Sequence, residues 1–163
     1  SVTAEVDVPD GGADGVIISQ GGAFGGFALS AKDGRPAYCY ILFGLQQFKV
    51  YGDEPMPTGE HQVRMEFAYD GGGLGKGGDV RLYVDGEQVG EGRVDATVPM
   101  LFSADETTDV GGDTATPVSD DYGPRTSEFT GTVRWVQLDT GEAEDVDHLI
   151  SPEERLRIAM ARQ

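Results

Sequence analysis

The residues with the clearest capacity for chemistry form an acidic stretch over positions 102–122. Six carboxylates lie in it and the next basic residue is Arg125, so their mutual repulsion must be relieved by solvent, a cation or a basic surface. Carboxylate oxygens converging from one loop suit calcium, although the spacing differs from that of an EF-hand loop and a solvated loop is the alternative. If calcium binds, we expect it near Asp105, Asp109 and Asp113.

Nucleophilic chemistry has little support elsewhere in the sequence. The single cysteine, Cys39, lies in a run of strand-forming residues, where a buried thiol behaves as a small hydrophobic side chain, and no internal disulfide can form. The two histidines, His61 and His148, show no spacing that pairs either of them with this thiol as a base. We therefore predict no catalytic residue and no cofactor in this chain, apart from the possible calcium ion.

Seven aromatic side chains form a further candidate set, because a ring face can stack on a sugar. Alternating aromatic residues in strands are more often core residues or cross-strand pairs, and both interpretations stay open. The seven are Phe24, Tyr38, Tyr40, Tyr69, Tyr83, Tyr122 and Trp135.

Short runs of alternating apolar and polar residues, separated by glycine-rich turns, must position these groups. Residues 60–69 alternate well, and Asp85-Gly86 is a hairpin turn signal. About ten such runs at regular spacing predict an all-β fold, an antiparallel β-sandwich of the jelly-roll type. The last two strands are predicted over residues 98–102 and 127–138.

The sandwich is predicted to occupy residues 1–140. Residues 141–163 are predicted to form a polar linker and a helix after Ser151, where Ser-Pro-Glu-Glu supplies an N-cap, a first-turn proline and a capping-box glutamate. We expect this helix to pack on the sandwich through Leu156 and Met160.

The charge of the chain restricts its partners. Its 163 residues include 29 acidic and 12 basic residues, a formal net charge of -17, which opposes nucleic acid because phosphate binding requires clustered Lys and Arg. No apolar run approaches the roughly 20 residues of a membrane span, so we expect no membrane partner. The single cysteine and the lack of a secretory-signal pattern favour the cytoplasm. A start inside a strand-like run, without an initiator Met, predicts a piece of a longer protein.

Three segments, residues 15–27, 67–90 and 102–122, resemble in the same order the region that follows the catalytic domain in large bacterial arylsulfatases. The Leu-Tyr-Val-Asp-Gly hairpin at 82–86 is similar to those of laminin-G-like and concanavalin-like sandwiches. Arylsulfatases hydrolyse sulfate esters with a formylglycine made within a Cys/Ser-x-Pro-x-Arg motif, beside calcium held by Asp and Asn. Cys39 is followed by Tyr-Ile-Leu, so that motif is absent here.

The resemblance implies a non-catalytic accessory domain that docks on the sulfatase catalytic domain of the same polypeptide and shapes its substrate entrance. The acidic stretch and the glycine-rich hairpin tip are the expected contact surfaces, with Tyr69, Asp70, Leu74 and Lys76 as docking residues. The glycines of the tip can also cradle an anion, but the tip lacks the Gly-Lys-Ser/Thr ending of a phosphate loop. The alternative from another class is a calcium-dependent carbohydrate-binding module.

Overall fold

Two antiparallel sheets of five strands each make up the architecture. The structure is a computed structural model, and it describes residues 1–100, 102, 106–114, 116–141 and 148–161. Within these ranges the strands are β1 (Val2–Val8), β2 (Gly15–Gly22), β3 (Gly25–Lys32), β4 (Arg35–Leu42), β5 (Gln46–Tyr51), β6 (Gly59–Tyr69), β7 (Gly78–Val84), β8 (Glu87–Val94), β9 (Thr108–Val110) and β10 (Thr132–Leu138). The first sheet has the order β10-β1-β6-β7-β8 and the second β5-β4-β3-β2-β9. The predicted all-β sandwich is confirmed.

The core lies between the two sheets because side chains alternate along each strand. In β1, Ala4 and Val6 are fully buried, while Glu5 between them is only half-buried and faces outward. Ile18 and Leu29, paired across β2 and β3, belong to the same hydrophobic cluster from the second sheet. Burial of one such aliphatic side chain is worth about 1.5–3 kcal/mol, so the alternation fixes which face of each strand points inward.

Two hairpins close through two-residue Asp-Gly turns. Asp33 and Gly34 have φ of 53° and 77°, and Asp85 and Gly86 have φ of 52° and 84°. Positive φ at both central residues is the type I′ geometry, whose twist matches that of the flanking strands. The Asp85-Gly86 turn signal in the sequence therefore locates the β7–β8 hairpin correctly.

Two strand predictions were wrong in part. Residues 98–100 are not a strand: Pro99 has no N–H to donate to a ladder, and the segment instead crosses the end of the sandwich. The predicted last strand begins only at Thr132, because the residues before it bond to the second sheet: Glu128 bridges Val16, and Thr130 N donates to Asp14 O at 2.8 Å. The acidic stretch, by contrast, contributes the short strand β9.

The C-terminal segment lies on the outer face of the first sheet. The Gln62 side chain exchanges two 2.9 Å hydrogen bonds with the backbone of Ile150, which is fully buried. The helix α1 (Pro152–Ala161) follows, with Ser151 Oγ accepting a hydrogen bond from Glu154 N at 3.2 Å as the predicted N-cap. Arg155 reaches back to Glu5 at 3.0 Å.

The predicted apolar stripe of the helix is not its contact surface. Leu156 and Met160 are 62% and 66% exposed, so the expectation that they pack on the sandwich was wrong. The apolar anchor is Ile150, before the helix, and Arg155 adds a cation–π contact 4.7 Å from the Trp135 ring. The described residues contain no helix with the length and apolar character needed to cross a membrane.

Candidate functional site

A cleft of about 500 Å³ opens between the two sheets at one end of the sandwich. Strand ends from both sheets line it: β6 and the start of β1 on one side, β2, β3 and β4 on the other. Residues 97–100 and Phe102 close part of it. The aromatic residues of the cleft are Phe27, Tyr38, Tyr40, Phe67, Tyr69 and Phe102.

Strand pairing explains why these rings meet. Phe27 lies opposite Tyr40 in the β3–β4 ladder, and both point into the sandwich. The Phe27 ring stacks on Tyr38, with centroids 6.2 Å apart and planes 26° from parallel. Phe102 then packs edge-on against Phe27 at 6.3 Å and against Tyr40 at 6.0 Å. Edge-to-face and offset contacts at these distances are the arrangements that aromatic rings prefer.

The segment over residues 97–100 is held across the cleft by hydrogen bonds and by close packing. The Tyr40 hydroxyl accepts a hydrogen bond from Val98 N at 2.8 Å, and Thr97 Oγ1 donates to Lys76 O at 2.7 Å. A Cβ on Gly25 would lie only 3.1 Å from Val98 Cγ2. The segment therefore joins the β6–β7 hairpin to the β2–β3 hairpin.

The lining of the cleft is mainly apolar, and the residues that bring polar groups to it include Ser1, Gln20, Asp139 and Thr140. Tyr38 is only 3% exposed, and none of the described residues forms a hydrogen bond with its hydroxyl. Burial raises the pKa of Tyr38 well above its ordinary value, with a smaller contribution from Tyr40, so the hydroxyl keeps its proton. Gln20 also lines the cleft, from the strand opposite Phe27.

Large apolar side chains are exposed around this end of the molecule. The hairpin tips at 22–25, 42–46 and 70–77 and the segment 97–100 lie here, and together we call them the cleft end. Contacts link them: Gly44 faces Phe24, Gly25 faces Val98, and Gly75 faces Pro99. The exposed fractions are 72% for Phe24, 90% for Leu45, 79% for Leu74 and 84% for Met100.

The four predicted docking residues all lie on the β6–β7 hairpin of the cleft end. The Tyr69 hydroxyl organises the tip, because it donates to Gly73 O at 2.6 Å and accepts from Lys76 N at 2.9 Å. Both carboxylate oxygens of Asp70 accept hydrogen bonds from the Arg93 guanidinium, which also binds Asp79. Leu74 is the one of the four whose side chain is apolar and largely exposed.

The candidate calcium residues do not form a recognisable metal site in the described part of the chain. Asp105 lies outside the described residues. The Asp109 carboxylate accepts hydrogen bonds from Thr107 and from both the backbone and hydroxyl of Thr114, and these bonds lower its pKa. Asp113 is buried, and its Oδ2 accepts from Val118 N at 3.1 Å and Tyr122 Oη at 2.7 Å. Nowhere among the described residues do three His, Cys, Asp or Glu side chains converge.

Residues 118–122 of the chain cover part of the outer face of the second sheet. Val118 and Tyr122 pack there against Ala28 and Ile41 in a small second hydrophobic cluster. Cys39 lies beneath this cover, and burial raises the pKa of its thiol to about 11. A thiol with that pKa stays protonated near neutral pH, so Cys39 is not an activated nucleophile.

A polar anchor fixes the same cover at the sheet edge. Lys49 Nζ lies 2.7 Å from Asp121 Oδ1, and the Tyr51 hydroxyl donates to Asp121 Oδ2 at 2.9 Å. Burial would raise the pKa of Asp121, but these two partners outweigh it and hold the pKa below its ordinary value. The carboxylate therefore serves to attach the cover.

The two histidines each contact a carboxylate, far apart in the fold. His61 Nδ1 is 2.6 Å from Asp85 Oδ2 at the β7–β8 turn. His148 Nδ1 is 2.8 Å from Glu66 Oε1, and its ring stacks on Tyr83 with centroids 4.3 Å apart. Burial would raise the pKa of Glu66, but His148 and the neighbouring Arg64 lower it overall. This cluster ties the C-terminal segment to the first sheet.

Of the seven candidate stacking residues, three meet in the cleft. Tyr38, Tyr40 and Tyr69 line it, whereas the other four lie on hairpin tips or outer faces of the sheets. Sequence reasoning missed Phe27 and Phe102 as members of the site. The alternation of rings along β3 and β4 was the available signal for Phe27, while nothing local placed Phe102.

Two comparisons with known proteins return no match. A scan against models of protein families finds no match, and a search of curated proteins finds no match either. The geometry of the cleft end therefore carries the functional argument.

Proposed function

We propose that this chain is a non-catalytic accessory domain whose cleft end docks on the catalytic domain of an arylsulfatase-type enzyme in the same polypeptide. The observation that carries docking is the exposure of Phe24, Leu45, Leu74 and Met100 at one end of the sandwich. The arylsulfatase assignment rests on the sequence resemblance of residues 15–27, 67–90 and 102–122.

Energetics support docking through these side chains. An exposed apolar side chain gains about 1.5–3 kcal/mol when it is removed from water, so four on one end favour contact with another surface. Contiguous exposed apolar patches commonly mark sites of protein contact. The chain carries a formal net charge of -17, which keeps the rest of its surface hydrated and leaves the cleft end as the preferred apolar contact.

The carbohydrate-binding alternative has weaker support. Tyr38, Tyr40 and Tyr69 meet in the cleft, but Phe102 presents its edge to Tyr40 and Phe27 rather than extending a flat platform. Sugar recognition also needs several polar groups around the ring, whereas most of the exposed lining of the cleft is apolar. Specific binding of this chain on a glycan array, lost in Tyr69→Ala, would favour that alternative.

The first test of the proposal is the full reading frame that encodes this chain. A Cys/Ser-x-Pro-x-Arg motif upstream of it supports the arylsulfatase assignment, and a reading frame without one overturns that assignment. The docking claim has a separate test, in which calorimetry measures binding of this chain to the remainder of the polypeptide.

Variants then locate the docking surface. Leu74→Asp combined with Met100→Asp should weaken binding at least tenfold, because burial of each leucine-sized side chain contributes more than 1.4 kcal/mol, about a tenfold change in affinity. Leu156→Asp combined with Met160→Asp is the control, since both side chains are also largely exposed but lie on the helix. Equal weakening by both changes would contradict docking through the cleft end.

A further inference from the structure

We propose that the aromatic cleft is a binding site for a small planar molecule that is mostly apolar and carries one hydrogen-bonding group. This inference goes beyond docking, because it concerns the interior of the cleft rather than the exposed hairpin tips. Three features of the cleft support it: its size, the arrangement of its rings and the Tyr38 hydroxyl in its wall.

The cleft has the size and chemistry of a small-molecule site. Its volume of about 500 Å³ lies within the roughly 300–1,000 Å³ typical of ligand pockets. Such pockets are lined mainly by apolar and aromatic side chains with a few polar groups that orient the ligand. Here Val2, Met65 and Leu138 join the six aromatic residues, and Gln20 and Tyr38 supply polar groups.

The ring arrangement favours a planar ligand. Phe27 and Tyr38 lie 26° from parallel, and Phe102 meets Phe27 at 64°. A flat aromatic ligand can add an offset face to the first pair or present its edge to Phe102, both favourable aromatic geometries. A branched aliphatic molecule gains only the free energy of burying its apolar surface against the same walls.

The Tyr38 hydroxyl supplies the orienting polar contact. Tyr38 lines the cleft, and its hydroxyl forms no hydrogen bond with any of the described residues. Tyr40, two residues away on the same wall, is satisfied by Val98 N at 2.8 Å. The Tyr38 hydroxyl lies in the cleft wall, and within the described part of the chain nothing competes with a ligand for its hydrogen bond.

The probes are 2-naphthol, which carries one hydroxyl on two fused rings, and 2-methylnaphthalene, which carries none. Calorimetry on the full chain should detect saturable binding of 2-naphthol. Tyr38→Phe should weaken that binding about two- to tenfold, the range expected for one neutral hydrogen bond, and should leave 2-methylnaphthalene binding unchanged. Tyr51→Phe is the matched control, because the Tyr51 hydroxyl binds Asp121 on the outer face.

Two further measurements keep the proposal falsifiable. Because no described residue pairs with the Tyr38 hydroxyl, Tyr38→Phe should fold with undiminished resistance to denaturant; a clear loss of stability would reveal a partner within the protein and overturn the proposal. Nuclear Overhauser contacts should join 2-naphthol to the Phe27 and Phe102 rings.

Absence of saturable 2-naphthol binding, equal affinity in Tyr38→Phe, or contacts elsewhere on the protein would each contradict the site. The docking proposal can fail separately, because Leu74→Asp lies on the exposed tip and should leave 2-naphthol binding intact.

Discussion

The two ends of the sandwich are built from the same strands but present opposite surfaces. At the cleft end the hairpin tips expose large apolar side chains. At the other end, which we call the polar end, the turns at 9–14, 33–34, 52–58 and 85–86 expose mainly carboxylates, and the apolar Met56 is buried. The exposed acidic residues there include Asp10, Asp33, Asp53, Glu54 and Asp85.

The turns of the polar end are explained by folding, whereas the exposed apolar residues of the cleft end are explained by binding. The polar end has two type I′ Asp-Gly turns, which are the shortest way to close a hairpin and keep the molecule hydrated. The tips of the cleft end carry Phe24, Leu45 and Leu74, which are exposed and contribute little to the core, so folding alone gives no reason for them. Binding residues are commonly found on loops held by a rigid scaffold, and the cleft end fits that description.

The largest expected effect concerns the backbone of the cleft end. Gly21 has φ 80°, and a Cβ there would lie 2.2 Å from the carbonyl oxygen of Gly25. Gly21→Ala should therefore reduce the free energy of unfolding by more than about 3 kcal/mol, since strain and a backbone clash add. Gly11→Ala at the polar end, with φ 100° and no atom nearby, should cost only about 1–2 kcal/mol. Denaturant unfolding measures both, and equal costs would remove this distinction between the ends.

The second effect concerns the attachment of the C-terminal segment near the polar end. Ile150 is fully buried beside Gln62, so Ile150→Ala should reduce the free energy of unfolding by about 2–4 kcal/mol. The exposed Leu156 is the control, and Leu156→Ala should change the free energy of unfolding by less than about 0.5 kcal/mol. Thermal or denaturant unfolding measures the stability of both variants. A larger loss of stability from Leu156→Ala than from Ile150→Ala would show that the apolar stripe of the helix anchors the segment.

The third effect is a dependence on pH that should spare the cleft end. The pKa of Asp121 is lower in the folded chain than its ordinary value of 3.8, because Lys49 and Tyr51 outweigh the effect of burial. A carboxyl with a lowered pKa adds stability above its unfolded pKa and loses it as pH falls through the folded pKa. Stability should therefore drop as pH falls below about 4, and the difference between the natural chain and Asp121→Asn should shrink in the same window.

Urea unfolding at a series of pH values measures this effect. Of the described residues that line the aromatic cleft, only Asp139 carries a carboxylate, and contact with the rings and with the Tyr38 hydroxyl does not depend on its charge. Binding of 2-naphthol should therefore persist at pH values where the chain is still folded. A stability difference that stays constant from about pH 6 to pH 3 would contradict the role given to Asp121.

The smallest effect on stability is expected at the exposed tips. Leu45→Ser and Leu74→Ser should change the free energy of unfolding by less than about 0.5 kcal/mol, because neither side chain is buried. Both should reduce binding of an apolar dye and self-association in sedimentation experiments, whereas Asp53→Ser at the polar end should reduce neither. Large stability losses at the tips would assign these leucines to the fold.

Sequence patterns predicted the polar end better than the cleft end. Strand alternation and Asp-Gly turns are local signals, so strands β1 to β8 and the β7–β8 turn were placed correctly. Residues 98–102 were predicted as a strand because they are largely apolar, and the actual position of residues 98–100 depends on the Tyr40 hydroxyl and on space left by Gly25. Such contacts join residues far apart in sequence, which periodicity cannot detect.

Only some of the docking residues could be predicted, because local sequence signals identify one hairpin tip but not the tips that strand pairing brings beside it. Leu74 lies on a glycine-rich tip, a local feature, and the structure exposes it as a docking role requires. Phe24, Leu45 and Met100 were not chosen, because only the pairing of β2 with β3 and of β4 with β5 brings their tips to the same end. The likeness to arylsulfatases stays a prediction that neither the fold nor the comparisons address.

Amide hydrogen exchange tests the central claim most directly, by comparing this chain alone with the full-length protein encoded by its reading frame. If the cleft end docks, the amides of the tips at 22–25, 42–46 and 70–77 should exchange more slowly in the full-length protein. The turns at 33–34 and 85–86 should exchange equally in both. Protection confined to the polar end, or no difference at the cleft end, would contradict the account.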